Sequence, residues 1–226
     1  MQGAGPCIVG SDMFLHAVQR AAEQARVVFI LDEVMTSRLA PGGLQSLVMP
    51  LKPDLTTFGK YLGGGITFGA FGGRKEIMAV YDPRNGKGLA HSGTFNNNTL
   101  GMAAGYVGLS RIYTPEVIKA FNQVGNDLIA KLQAVSEGTK MTVTGRGSVI
   151  GIHFLHDGCK KLASIRDRHD DAALKELFWF EMMEAGFWLT RRGSIALILG
   201  TPQAELDRLV DCVKDFLTRH DRLVRL

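Results

Sequence analysis

Apolar positions along the chain follow two alternating periods, a helical one and a strand-like one. Phe14, Leu15, Val18 and Ala22 fall on one face of a helix, and Ser11 just before them is expected to cap it, with the helix running through about Gln24. "VVFIL" (27–31) then reads as a buried strand, because five apolar residues follow one another without a polar partner face. "DLTTF" (54–58) and "FGAFGG" (68–73) predict further strands, and "KEIMAVY" a short helix. "NTLGMAAGYVGLSRI" (98–112) predicts a helix that tolerates glycine because something packs closely against it. Thr114 followed by Pro115 marks the start of a long helix through about Val135.

The pattern then changes. "MTVTGRG" and "SVIGIHFL" predict two strands joined by a tight turn, and Asp170 to Ala185 a helix. "FWL" and "IALIL" predict two short strands, and Pro202 to Leu217 a closing amphipathic helix. A boundary is therefore expected near residue 113, with an α/β portion over 1–113 and a smaller α+β unit over 114–226.

Composition narrows the class. The 226 residues are 46% hydrophobic, enough for a substantial core, and 26 Lys and Arg against 22 Asp and Glu leave a mild net charge of +4. Only the tail, with Arg219, Arg222 and Arg225, is locally basic, and a solvated helix end accounts for it as well as a nucleic-acid surface would. No nucleic-acid partner is expected. Cys7, Cys159 and Cys212 form no C-x-x-C pair, which argues against a disulfide framework or zinc site and fits a reducing cytoplasm. "MQGAGPCIVG" lacks the features of a signal peptide, and no apolar run approaches the roughly 18 residues of a membrane span, so neither secretion nor a membrane partner is expected.

Glycine changes the picture most. Twelve of the 27 glycines lie between Gly59 and Gly105, so this stretch is expected to wrap a ligand or another chain. At its edge, "TTFGKYLGGG" sets Lys60 between a strand and three glycines. Such a lysine is either a solvated loop residue or one that must reach a ligand. In "FILDEVMTSR", Asp32 and Glu33 follow an apolar strand directly, the position where α/β sheets bind ligands. A lone aspartate there is more often a cap or turn residue. Two successive strands, one ending in Asp32 and the next in Lys60, can however present both side chains to one crevice. Other motifs carry less: "GRGSVIG" has the wrong spacing for a dinucleotide loop, and "GGGITFG" lacks the Gly-Lys-Ser/Thr ending of a P-loop. His153 and His156, three apart in a predicted strand, are expected on opposite faces, which argues against a metal pair, and no G-x-S-x-G elbow is present.

"LDEVMTSR", then "PDLTTFGKYLGGGITFGAFGGRKEIM", then "HSGTFNNNTLGMAAG" together resemble the class III aminotransferases, closest to the glutamate-1-semialdehyde 2,1-aminomutase group. The resemblance covers nearly the whole chain. It implies a partial large domain of fold type I, an α/β fold that binds pyridoxal 5′-phosphate (PLP), followed by an α+β C-terminal small domain. It also implies that Lys60 forms the internal aldimine and later carries the substrate Cα proton. Asp32 would hold the pyridinium nitrogen protonated. Val34 would pack on one ring face, a role compatible with its being a core valine. Thr94 would bind the cofactor phosphate across a dimer interface, making a homodimer with shared active sites part of the chemistry. The substrate implied is a small amino acid or amino aldehyde. "MQGAG" resembles an internal stretch of the family, with Ala4 near a position where some members carry a polar residue close to the cofactor oxygen. The family's phosphate loop and ring-stacking aromatic, which belong to a preceding N-terminal portion, are missing from this sequence. The alternative to an enzyme is a non-catalytic remnant of the fold that persists as a structural or partner-binding dimer.

Overall fold

The computed structural model describes residues 1–2, 7–48, 51–159 and 161–226; Ala4 lies outside them. The chain divides into two compact units, Ser11–Lys119 and a second made of Met1–Gly10 with Ala120–Leu226.

In the first unit the Ser11 hydroxyl accepts a 3.2 Å hydrogen bond from the Phe14 amide and starts α1 (Asp12–Ala25). β1 (Ile30–Asp32) runs parallel to β2 (Leu55–Gly59), with Asp32 opposite Thr57, and β2 runs antiparallel to β3 (Gly69–Gly73), with Gly59 opposite Gly69. Asp54 ties the two parallel strands at their start: it accepts from the Phe29 amide at 2.8 Å and from Arg74 at 2.7 Å. The Arg74 hydrogen bond, then that from Phe29, holds its carboxyl below the usual range.

The expectation of a buried strand over 27–31 is corrected. Regular pairing is confined to Ile30–Asp32, and Val27, Val28 and Ile30 are each more than half exposed. An apolar run is buried only when its edges and faces are covered, and β1 has one strand neighbour among the described residues, at the end of the order β1-β2-β3.

After β3 come α2 (Lys75–Met78) and α3 (Thr99–Val107), the latter capped by Asn98, whose Oδ1 accepts from the amides of Leu100 and Gly101 at 3.1 and 3.2 Å. A π-helical turn, Gly108–Ile112, widens the end of α3 before Tyr113. Gly105 explains why the helix carries glycine: a Cβ there would lie 2.3 Å from the Leu62 carbonyl oxygen.

α4 (Pro115–Val135) leads into the second unit, whose sheet is the antiparallel run β4 (Met141–Arg146), β5 (Val149–Phe154) and β6 (Ser194–Ala196). β5, the middle strand, is buried along its whole length. Phe154 on it meets Phe178 of α5 (Ala172–Glu184) and Phe216 of α6 (Gln203–Arg219), with ring centroids 5.2 to 5.8 Å apart. This apolar trio anchors both helices to the sheet. A last turn, α7 (Asp221–Val224), follows. The strand expected at "FWL" does not form. The Trp179 indole takes the Leu189 carbonyl at 3.0 Å, and Trp188 is almost fully exposed, so the segment runs as coil. His156 likewise lies beyond the end of β5, so only His153 is a strand residue. Among the described residues no helix is long and apolar enough to cross a membrane.

Candidate functional site

Asp32 closes β1, and Lys60 follows the last residue of β2. Because the strands are parallel and Asp32 pairs in register with Thr57, the two residues stand at the same, C-terminal edge of the sheet. Both are exposed. Asp32 Oδ1 accepts from the Val34 amide at 2.9 Å and from the Thr57 hydroxyl at 3.1 Å, while Oδ2 has no protein donor among the described residues. The carboxylate is therefore oriented through one oxygen, with the other left for a ligand. Val34 packs over Gly59: a Cβ on that glycine would meet Val34 Cγ1 at 3.3 Å and the Phe68 carbonyl at 3.2 Å. Asp32, Val34 and Lys60 are thus gathered around one strand end.

Lys60 itself adopts φ 56°, the left-handed region. For a residue with a Cβ that conformation costs about 1–2 kcal/mol, so the surroundings must hold it. They do so through a 3-10 turn, Lys60–Gly63, backed by α3, where a Cβ on Gly64 would lie 2.7 Å from the Ala104 carbonyl carbon.

The sequence did not single out the residues that mount this pair. Glu33, next to Asp32, is only 1% exposed. Its carboxylate accepts from the Thr36 hydroxyl and from the amides of Leu44 and Gln45 at 3.2 and 2.7 Å, organising the loop that follows the strand. Gly43, at φ 74°, lets that loop close, since a Cβ would stand 2.9 Å from Glu33 Oε1. Tyr61, next to Lys60, is half-buried and meets Tyr113 edge-on at 5.4 Å and 71°. Burial pushes its phenol pKa up. Each exposed candidate is followed by an anchored neighbour, a pattern whose only sequence signal was the pairing of a charged residue with a second bulky or charged one.

Thr94 stands apart. It is exposed in the turn over 94–97 ahead of α3, and shares no hydrogen bond with Asp32, Val34 or Lys60 among the described residues. Beside it a cleft of about 650 Å³ is lined by residues that include Phe68, His91, Phe95, Asn97 and Met102. Neither Asp32 nor Lys60 borders that cleft.

Solved structures of PLP-dependent transaminases of fold type I superimpose on this chain. The β-phenylalanine aminotransferase of Variovorax paradoxus matches with a TM-score of 0.94 and 43% identity, over 100% of this chain and 52% of the other. An omega-transaminase of Sphaerobacter thermophilus matches with a TM-score of 0.80 and 31% identity, over 92% and 48% of the two chains. The chain belongs to the class III aminotransferases, whose family model, aminotransferase class-III, matches residues 1–215. An uncharacterised aminotransferase of Schizosaccharomyces pombe is 48% identical over 227 residues, 100% of this chain and 51% of its own. A glutamate-1-semialdehyde 2,1-aminomutase of Methanothrix thermoacetophila is 36% identical over 82% of this chain and 42% of its own. The chain spans about half the length of the curated relatives it matches.

The family's cofactor is pyridoxal 5′-phosphate. The donor set here fits it: a carboxylate with one unclaimed oxygen, an exposed amine held off the sheet, and an apolar wall where Val34 covers the glycine before the lysine.

Proposed function

We propose that this chain supplies the lysine-bearing half of a class III aminotransferase active site that moves an amino group on a small amino acid or amino aldehyde. The observation that carries the reading is the placement of Asp32 and Lys60 at the same edge of two parallel strands. PLP, when bound, supplies an aldehyde for the amine and a ring that draws electrons from the carbon bearing it. Lys60 would hold the cofactor through its Nζ and would move the proton at the amine-bearing carbon. Asp32 would hold the ring nitrogen protonated, with the Thr57 hydroxyl and the Val34 amide orienting the carboxylate. Val34 would keep water from one face of the ring, and Thr94 would serve the cofactor phosphate of a second subunit.

Transamination is favoured over the mutase reaction, because the two aminotransferase relatives share 48% and 43% of residues against 36% for the aminomutase. The Variovorax relative, a β-phenylalanine transaminase, points to substrates whose amino group lies β to a carboxylate.

Adding PLP and then borohydride is expected to fix the cofactor on Lys60, read by peptide mapping, and Lys60→Ala to remove that label. Label spread over surface lysines, unchanged in the variant, would overturn the assignment. Exchange of the proton at the amine-bearing carbon with deuterium then separates an enzyme from a non-catalytic remnant. In the enzyme Asp32→Asn lowers it by orders of magnitude; in a remnant the wild type exchanges nothing.

A further inference from the structure

We propose that Tyr61 and Tyr113 form a positioning clamp that holds Lys60 in its left-handed conformation and couples it mechanically to the segment following Asp32. The proposal rests on the reading of Lys60 and Asp32 given above.

Lys60 is one of few non-glycine residues with positive φ, and a flexible glycine run on its C-terminal side cannot by itself impose that geometry. The residue that can is Tyr61. Its ring stands edge-on to Tyr113, which is reached through a different element, the π-helical turn that closes α3. The extra backbone residue of a π turn shifts all that follows, and here it delivers Tyr113, whose amide donates to the Gly108 carbonyl at 2.7 Å. From Tyr113 the hydroxyl donates to the Arg38 carbonyl at 2.8 Å. Arg38 lies in the 3-10 turn Ser37–Leu39, and the Ser37 amide donates to the Glu33 carbonyl at 3.0 Å, one residue from Asp32. A contiguous path of packed and hydrogen-bonded groups thus runs from Lys60 through Tyr61, Tyr113, Arg38, Ser37 and Glu33 to Asp32. Burial of Tyr61, followed by the effects of the Ser37 side chain, Tyr113, Arg38 and Glu33 on its phenol, places the ring among the residues of this path. Neither tyrosine touches the reacting atoms; both act through Lys60.

The test uses the full chain with two readouts: amide hydrogen exchange over 59–65 without cofactor, and the fraction of borohydride-fixed PLP that lands on Lys60. Tyr61→Ala is expected to speed exchange over 59–65 and to lower capture at Lys60 by about three- to tenfold, the weight of one edge-on aromatic contact. Tyr61→Phe, which keeps the ring, is expected to restore both. Tyr113→Phe keeps the ring, removes the hydroxyl that donates to Arg38 and serves if the alanine variant does not fold; it is expected to lower capture by about twofold or more. A double-mutant cycle of Tyr61→Ala with Tyr113→Leu is expected to show the two effects to be non-additive. Capture and exchange both unchanged in Tyr61→Ala, or additive effects in the cycle, would overturn the clamp. If the wild type shows no preference for Lys60, the functional reading fails, and exchange over 59–65 alone decides the clamp.

Discussion

Asp170 shows how much one buried charge carries. Arg168 and Lys175 share its Oδ2, Lys175 at 3.5 Å, while Oδ1 is buried without a partner among the described residues. Burial opposes ionisation of this carboxyl, but the Arg168 hydrogen bond and the charges of Lys175, Arg168 and His153 outweigh it and hold its pKa below the usual range. Lys175 shifts the same way, its pKa lowered chiefly by burial. Asp170→Asn strands the Lys175 ammonium and is expected to destabilise the fold by about 3 kcal/mol at neutral pH. A depressed carboxyl stabilises above its unfolded pKa, and that contribution is lost as pH falls through the folded value. The difference between wild type and variant is therefore expected to close below about pH 4, as denaturant titrations at several pH values would show. At this scale the placement of Asp32 and Lys60 at two neighbouring strand ends was legible because strand ends and glycine clusters are local signals. Glu33 and Tyr61 were not. Glu33 reads as one more charge beside Asp32, and its burial depends on a loop that closes ten residues later at Gly43. Tyr61 reads as part of a glycine loop, and its partner Tyr113 comes from 52 positions further along.

Among the elements, α3 and the turn bearing Lys60 depend on each other through glycine. Gly105→Ala gains about 1 kcal/mol of helix propensity. Against this, the new Cβ would stand 2.3 Å from a backbone oxygen, far inside contact distance, so helix or turn must shift at a cost of about 1–3 kcal/mol. Net destabilisation is expected in thermal melts, together with weaker PLP capture at Lys60; a stabilised variant with unchanged capture would show that α3 does not support the turn. Most elements were legible because caps and periodicity are local: Ser11 accepts from the Phe14 amide as expected of it, and Asn98 and Asp171 cap α3 and α5 in the same way. The run over 27–31 and the segment "FWL" misled for one reason. Apolar content predicts burial, yet burial depends on neighbours the segment must find in space. β1 has one strand beside it, and Leu189 gives its carbonyl to an indole in place of a strand.

For the whole molecule, the apolar surface around α3 sets the expectation. Leu100, Tyr106, Phe95 and Leu109 are all exposed, and only the glycines of the helix are buried. Apolar patches of this kind mark association surfaces. A dimer or higher oligomer is expected in light scattering at micromolar concentration, with Leu100→Asp shifting it toward monomer; a monomeric wild type would contradict both the patch argument and the assignment of Thr94 to a second subunit. The mounting of Asp32 and Lys60 has its own outcome at this scale. Since Glu33 and Tyr61 supply most of the hydrogen bonds and ring contacts that shape the strand ends, Asp32, with two hydrogen bonds of its own, and Lys60 bear the smaller share of the architecture. A lineage carrying this scaffold can exchange the acid or the lysine by drift and still inherit a folded, assembling protein, so loss of turnover and loss of shape are separate evolutionary events.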